Sequence, residues 1–229
     1  LVDAQVFWPE TSDPDAALVT ATDHRLVAVD LNFDDPFSEE DASVDGVTFL
    51  GATEFATGTI FGGTEFGGLS GVAFQPETGE FVALSDDRGT INDPRTYSLA
   101  IDLGDGSLDD GDVTILATTT LLDYDGTPFT TGSIDPEGIA FGSDGTQFIA
   151  TEGDAGAGLE TLILEFPGDR AEFELFPDPT KFFPTDTNGI RNNLAFESLT
   201  VTPDGSTLFT ATENALLQDG PRASVDDGS

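Results

Sequence analysis

Short apolar runs recur along this chain: "RLVAVDL" from Arg25, "GVAF" from Gly71, "FVALS" from Phe81, "IAF" from Ile139, "QFIATE" from Gln147, "LTVT" from Leu199 and "LFTAT" from Leu208. They are rich in β-branched and aromatic residues and end at Gly, Asp, Asn or Pro, which is the signature of strands of about four to seven residues. An apolar period of 3.6 is nowhere sustained, so the pattern predicts a nearly all-β chain.

Three of these runs belong to longer segments that align with one another: "SGVAFQPETGEFVALSD" from Ser70, "EGIAFGSDGTQFIATE" from Glu137 and "ESLTVTPDGSTLFTATE" from Glu197. Each opens on Ser or Glu, passes through an apolar strand and a Gly-containing turn, and returns through a second strand to an acid: Asp86, Glu152 or Glu213. The opening and closing residues are 16, 15 and 16 positions apart. A hairpin brings its first and last residues to the same end. The pattern therefore sets Glu137 beside Glu152, and Glu197 beside Glu213.

The repeats start 67 and 60 residues apart, more than the roughly 40 to 50 residues of a compact four-stranded blade. That leaves room for two further strands and long loops in each unit. A repeated antiparallel unit of this kind predicts a β-propeller, with each hairpin as the inner pair of a blade and the repeated acids on one rim. At least three blade-like repeats are visible, too few to close a ring of about four to eight blades. The expectation is a single domain over 1–229 that is an incomplete propeller, a fragment of a larger one, with sequence missing after Ser229; the start at Leu1 leaves the same open at the N-terminus.

Charge changes the picture. Asp and Glu total 44 against 7 Lys and Arg, a formal charge of −37, which repels nucleic acid and anionic membrane surfaces. Such a surface suits high salt, where screening shortens repulsion to a few ångströms, or a medium rich in divalent cations. Both point to salt adaptation or export, and the expected location is extracellular or periplasmic, with no signal peptide in this chain. Cysteine is absent, which removes disulfides and thiolate chemistry. The sole histidine is His24, read as a strand-edge residue. What remains is carboxylates, hydroxyls, arginines and oxygen-ligated ions.

The segments "FGGLSGVAFQPETGEFVALSDDRG", "DPEGIAF" with "DGTQFIATEGD", and "RNNLAFESLTVTPDGSTLFTATENALLQDGP" resemble the phytase-like family known for the esterase-like activity of phytase. The resemblance runs from about Phe61 to about Arg222, and its last block is the most specific. It implies a propeller-type fold and ester hydrolysis, often of phosphate esters. One departure is Ser198, where the family usually shows Gly.

The candidate metal ligands are Asp86, Asp87, Asp135, Glu137, Glu152, Asp154, Glu197 and Glu213. Carboxylates gathered on one rim repel one another by roughly 1 kcal/mol per pair at 4 Å in water and about four times that at lower effective dielectric. A hard dication with all-oxygen ligands offsets this, and Ca²⁺ suits a flexible cage better than Mg²⁺. Turn formation or a salt-adapted surface, and catalysis by the carboxylates without a metal, are the alternative accounts of the same acids. Glu137 and Glu197, with Arg88 and Arg191 as anion clamps, are the candidate catalytic residues. Arg95 is a further cation near the motifs. Ser70, Asn192, Asn193 and Asn214 join Arg88 and Arg191 as candidate substrate contacts. The Asp-Gly pairs, among them Asp45-Gly46, Asp105-Gly106, Asp144-Gly145 and Asp204-Gly205, are read as turns, and the acidic stretch 102–113 as a solvated loop, with loose Ca²⁺ binding as the alternative.

The functions carried forward are metal-dependent hydrolysis of a small-molecule ester, most simply a phosphate ester; a non-catalytic Ca²⁺-stabilised binding module; and a metal-dependent lactonase or carboxylesterase. The domain is expected to be monomeric, with a place inside a multidomain protein left open.

Overall fold

The computed structural model describes residues 3–5, 17–22, 25–33, 44–167, 173–176, 180–202 and 204–224; His24 lies outside them. Four strands form the first sheet in chain order: β1 (Asp3–Gln5), β2 (Ala17–Thr22), β3 (Arg25–Phe33) and β4 (Val44–Glu54). After a two-stranded ribbon, β5 (Ile60–Phe61) and β6 (Thr64–Glu65), comes a second sheet of β7 (Leu69–Gln75), β8 (Glu80–Ser85), β9 (Arg95–Ile101) and β10 (Val113–Thr120). The third holds β11 (Pro136–Phe141), β12 (Gln147–Thr151), β13 (Leu162–Phe166) and β14 (Glu174–Phe176), and β15 (Phe196–Val201) pairs with β16 (Leu208–Thr212). Every pairing among these described strands is antiparallel between chain neighbours, and an isolated parallel bridge joins Gly51 to Leu108.

The protein is all-β, with propeller-like blades built as meanders. Among the described residues the helical content is one 3₁₀ turn, Thr180–Phe182, and no helix is long and apolar enough to cross a membrane. The three aligned hairpins are β7-β8, β11-β12 and β15-β16, with β9-β10 and β13-β14 as the outer strands that the repeat spacing left room for.

Alternation along these strands feeds two interfaces at once, because successive side chains point to opposite faces of a sheet. Val72 and Ala83 pack with Leu26, Ala28, Leu99 and Leu108 between the first and second sheets. Their neighbours Ala73, Val82 and Leu84 turn the other way, against Ile139, Ile149 and Leu164 of the third. Ala140, Ala150 and Ile163 then meet Phe196 and Leu199 of the next hairpin. Burial on both faces is why the runs read as continuously apolar, while outer strand β10 alternates between half-buried and exposed.

The turns obey local rules. Gly145 and Gly205 adopt φ of +80° and +69°, a region open to glycine at little steric cost. The preceding Asp144 and Asp204 accept hydrogen bonds from the Thr146 and Ser206 N–H groups at 3.1 and 3.0 Å. Asp105 and Asp125 do the same for Ser107 and Thr127. These acids are turn formers, as read. Asp45-Gly46 is different: it lies inside β4 next to a register shift, with Gly46 opposite Asn32.

Successive inner strands approach most closely at glycines. A Cβ on Gly71 would lie 3.1 Å from the Glu137 carbonyl oxygen, and one on Gly138 only 2.7 Å from Leu199 N. Gly138→Ala should therefore destabilise the fold by about 1–3 kcal/mol, whereas Gly67→Ala, with nothing within 4 Å of the added carbon, should stay within about 0.5 kcal/mol. Thermal melts of the two variants check the contrast.

Candidate active site

Each hairpin ends in the same way. The N–H of the closing acid donates to a carbonyl just before the first strand: Asp86 to Gly68 at 2.7 Å, Glu152 to Asp135 at 2.9 Å and Glu213 to Ala195 at 2.8 Å. The pairing register shifts between Leu69 and Gly71, between Pro136 and Gly138, and between Phe196 and Ser198. Ser70, Glu137 and Glu197 are thus the extra residues of three equivalent β-bulges. A bulge re-aims its side chain and ends regular pairing, and here it is the opening residue of every repeat.

The acids converge as the repeat predicts. Ligand oxygens of Asp135, Glu137 and Glu152 lie within 4.8 Å of one another, and so do those of Glu152, Glu197 and Glu213. Glu152 belongs to both groups and is 2% exposed; Asp135 is 5% exposed. Glu152 Oε1 also accepts from the Ala195 N–H at 3.0 Å, tying the third sheet to the last hairpin. Burial, then the charge of Glu197 and then that of Asp135, push the Glu137 carboxyl up to about 10. Burial also raises Asp135, to about 6, against the opposing pull of Arg88.

Arg88 forms ion pairs with Asp135 at 3.3 Å and Asp154 at 3.4 Å. Asp154 also accepts from the Ala157 N–H, and that bond is the first reason its carboxyl titrates below the ordinary value. Asp86 is exposed, with its Oδ1 over Gly68. Asp86, Arg88, Asp135, Glu137 and Asn193 share the lining of a cavity of about 530 Å³, with Glu65 also in its wall.

Other predicted residues are used differently. Asp87 Oδ1 accepts from the Thr90 N–H and hydroxyl and from the Ile91 N–H; Oδ2 accepts from the Asn92 N–H and from Arg95. Five donors fill the four or so acceptor sites of a carboxylate, so Asp87, expected among the metal ligands, is a loop clamp with no free lone pair to offer. Burial alone would raise its pKa, but the hydrogen bonds from Asn92, Ile91, Arg95 and Thr90 win and hold it near 2.

Arg95, 2% exposed, also donates to Tyr97 Oη at 2.5 Å and to the Glu65 carbonyl at 2.8 Å. This network, which the sequence reading missed, was signalled only by an acid followed by a short polar loop and an arginine. Arg191 does not come to the acidic cavity: it donates to the Ala215 and Gly220 carbonyls at 2.8 and 2.6 Å and lines a separate depression of about 350 Å³. Asn192 accepts from Gly156 N–H, and Asn214 from the Ala215 and Ala223 N–H groups. Ser70 Oγ donates to the Pro136 carbonyl at 3.1 Å, stitching one blade to the next.

The donor set fits a hard dication. It is all oxygen, it is buried at Asp135 and Glu152 and half-buried at Glu137, Glu197 and Glu213, and Arg88 alone cannot compensate the acids gathered there.

The comparison with protein families matches residues 64–228 to the family described as "Phytase-like: Esterase-like activity of phytase". The match covers most of the chain, and the protein belongs to that family. Membership supports a hydrolase-like activity. No curated protein matches the chain.

In metal-free protein, a raised carboxyl pKa makes its contribution to stability full below the unfolded value, near 4.5 for Glu137, and progressively lost as pH rises toward about 10. Melts in chelator should show stability falling between pH 5 and 7, by up to about 1.4 kcal/mol per pH unit from this group, with a shallower slope in Glu137→Gln. Asp87 acts oppositely, its contribution present above about pH 3.8 and lost as pH falls toward 2. Asp87→Ala, which leaves the Arg95 guanidinium buried without its ion-pair partner, should lower stability by about 3–5 kcal/mol, read as a denaturant midpoint shift at neutral pH.

Proposed function

We propose that this protein hydrolyses a phosphate ester in the rim cavity, with Ca²⁺ held by the repeated carboxylates. The observation that carries this reading is the convergence of Asp135, Glu137, Glu152, Glu197 and Glu213 beside a cavity lined by Arg88. Glu152, Glu197 and Glu213 would hold the ion, with Asp135 and Glu137 next to it. When bound, Ca²⁺ would offset the mutual repulsion of the carboxylates, polarise a phosphoryl oxygen and lower the pKa of water.

The remaining work falls to the chain's own groups. Arg88, held by Asp135 and Asp154 at 3.3 and 3.4 Å rather than by tight contacts, would exchange a carboxylate for the non-bridging oxygens of the phosphate. Asp135 would accept a proton from the attacking water, and Glu137 would give one to the departing alkoxide. The new P–O bond forms as the bond to the alcohol breaks, so one water is consumed and phosphate and an alcohol are released. The same proposal takes the substrate as a small molecule and the protein as an exported, monomeric domain whose charge of −37 keeps nucleic acid and anionic membranes away.

Glu137→Gln and Glu197→Gln should each lower kcat for phosphate release by about 100-fold or more with an unchanged circular dichroism spectrum, and chelation should have the same effect on the unaltered protein. Full activity in both variants would overturn the assignment. Cleavage of p-nitrophenyl acetate without phosphate release would move the chemistry to carboxylic esters, and a chelator-sensitive melt without any turnover would leave a binding module.

A further inference from the structure

The rim cavity has a second kind of wall. Ile91 lines it together with the acids and is 68% exposed, more than the other large apolar side chains described. That exposure does not come from a loose loop. The Ile91 N–H is bound to Asp87 at 3.2 Å, between the Thr90 and Asn92 N–H groups bound to the same carboxylate. From the other side, the Arg88 carbonyl accepts from Gly132 N–H at 2.6 Å and the Gly89 carbonyl from Thr131 Oγ1 at 2.9 Å. A large aliphatic side chain presented by a pinned backbone at the lining of a polar cavity is a preorganised contact, which loses little entropy when a ligand covers it.

The charges in the same lining limit what can enter. Glu65, Asp86 and Asp135 stand against Arg88, because the second cation, Arg95, is already matched by Asp87 at 2.9 Å. A bound dication and Arg88 would together offset the three carboxylates, so a single phosphate group is already the excess negative charge the cavity must carry. A ligand carrying several phosphates would bring the rest of its charge against carboxylates.

Resting on the phosphoesterase reading above, we infer that the substrate is a monophosphate ester of an aryl or similarly apolar alcohol, its apolar group seated on Ile91, and that polyphosphorylated substrates are rejected. Ile91 is then the residue that sets leaving-group preference, acting by contact and not in the chemical step.

The test uses the full chain with Ca²⁺ and measures kcat/KM for 1-naphthyl phosphate, glycerol 2-phosphate and phytate. The naphthyl ester should be favoured over glycerol 2-phosphate by about 10-fold or more, the discrimination that a single apolar contact supplies, and phytate should be the poorest of the three. Ile91→Ser should bring the naphthyl-to-glycerol ratio toward one, and Ile91→Leu should restore it. Phytate cleaved as well as the naphthyl ester, or a ratio that Ile91→Ser leaves unchanged, would overturn the inference while the phosphoesterase reading stood. If none of the three esters releases phosphate, that reading fails, and equilibrium binding decides the inference. Tighter binding of 1-naphthyl phosphate than of inorganic phosphate, weakened by Ile91→Ser, would uphold the apolar seat; equal binding would overturn it.

Discussion

The close packing of one inner strand on the next, at Gly71 and Gly138, is what the rest of this protein depends on. With no side chain between them, the backbone of β7 lies against β11 and that of β11 against β15. Ser70 and Glu137, the residues before these glycines, are bulge residues, and the bulge residue Glu197 precedes Ser198, against which Gly138 packs, so the three side chains are brought into one neighbourhood by the same contacts. The acidic rim follows from this geometry. Close approach between blades requires small residues, the bulges free the side chains beside them, and the closing acids are fixed two positions away in the ladder by N–H bonds to Gly68, Asp135 and Ala195.

The concentration of charge is costly, and the structure divides the cost unevenly. Asp87 and Asp135 are both buried acids within reach of an arginine, yet one is held near 2 and the other raised to about 6. Burial works against the charged form of both, and the difference lies in the number and quality of the donors that oppose it. Asp87 has three backbone N–H groups, a hydroxyl and a 2.9 Å guanidinium contact. Asp135 has a guanidinium at 3.3 Å and two neighbouring carboxylates. A carboxylate surrounded by donors is finished as structure, and one left short of them keeps capacity for a ligand. By this criterion Asp87 and Arg95 are scaffold, while Asp135, Glu137 and Arg88 are available chemistry.

The hairpins and the neighbouring acids were legible in the sequence because each rests on spacing: the length of a strand, the return distance of a hairpin and the length between repeats. Glu137 with Glu152 and Glu197 with Glu213 could be paired without coordinates for that reason. Asp87 could not be separated from Asp86, since adjacent acids after a strand look alike until the loop beyond them closes on one. Arg191 was misplaced for a similar reason: proximity in sequence to "NNLAFES" does not say that its guanidinium is engaged by the carbonyls of Ala215 and Gly220. Ile91 left no trace, because a lone apolar residue in a polar loop has no period. Its role depends on a clamp formed by other residues.

The loop from Asp87 to Arg95 also connects stability to recognition. Asp87 cannot release its hydrogen bonds to bind an ion without freeing the Thr90, Ile91 and Asn92 N–H groups and unpairing a buried guanidinium. The clamp that removes Asp87 from the metal set is therefore the one that holds Ile91 in the cavity wall and starts Arg88 on its course toward Asp135. Two adjacent acids at the end of one strand have been given opposite tasks: Asp86 stays at the exposed rim, and Asp87 fixes the loop that shapes the cavity around it. In a chain with 44 acids and 7 basic side chains, committing Arg95 to that clamp leaves Arg88, 3.3 Å from Asp135, as the other cation of the cavity lining, which ties the charge balance of this cavity to the way its loop is built.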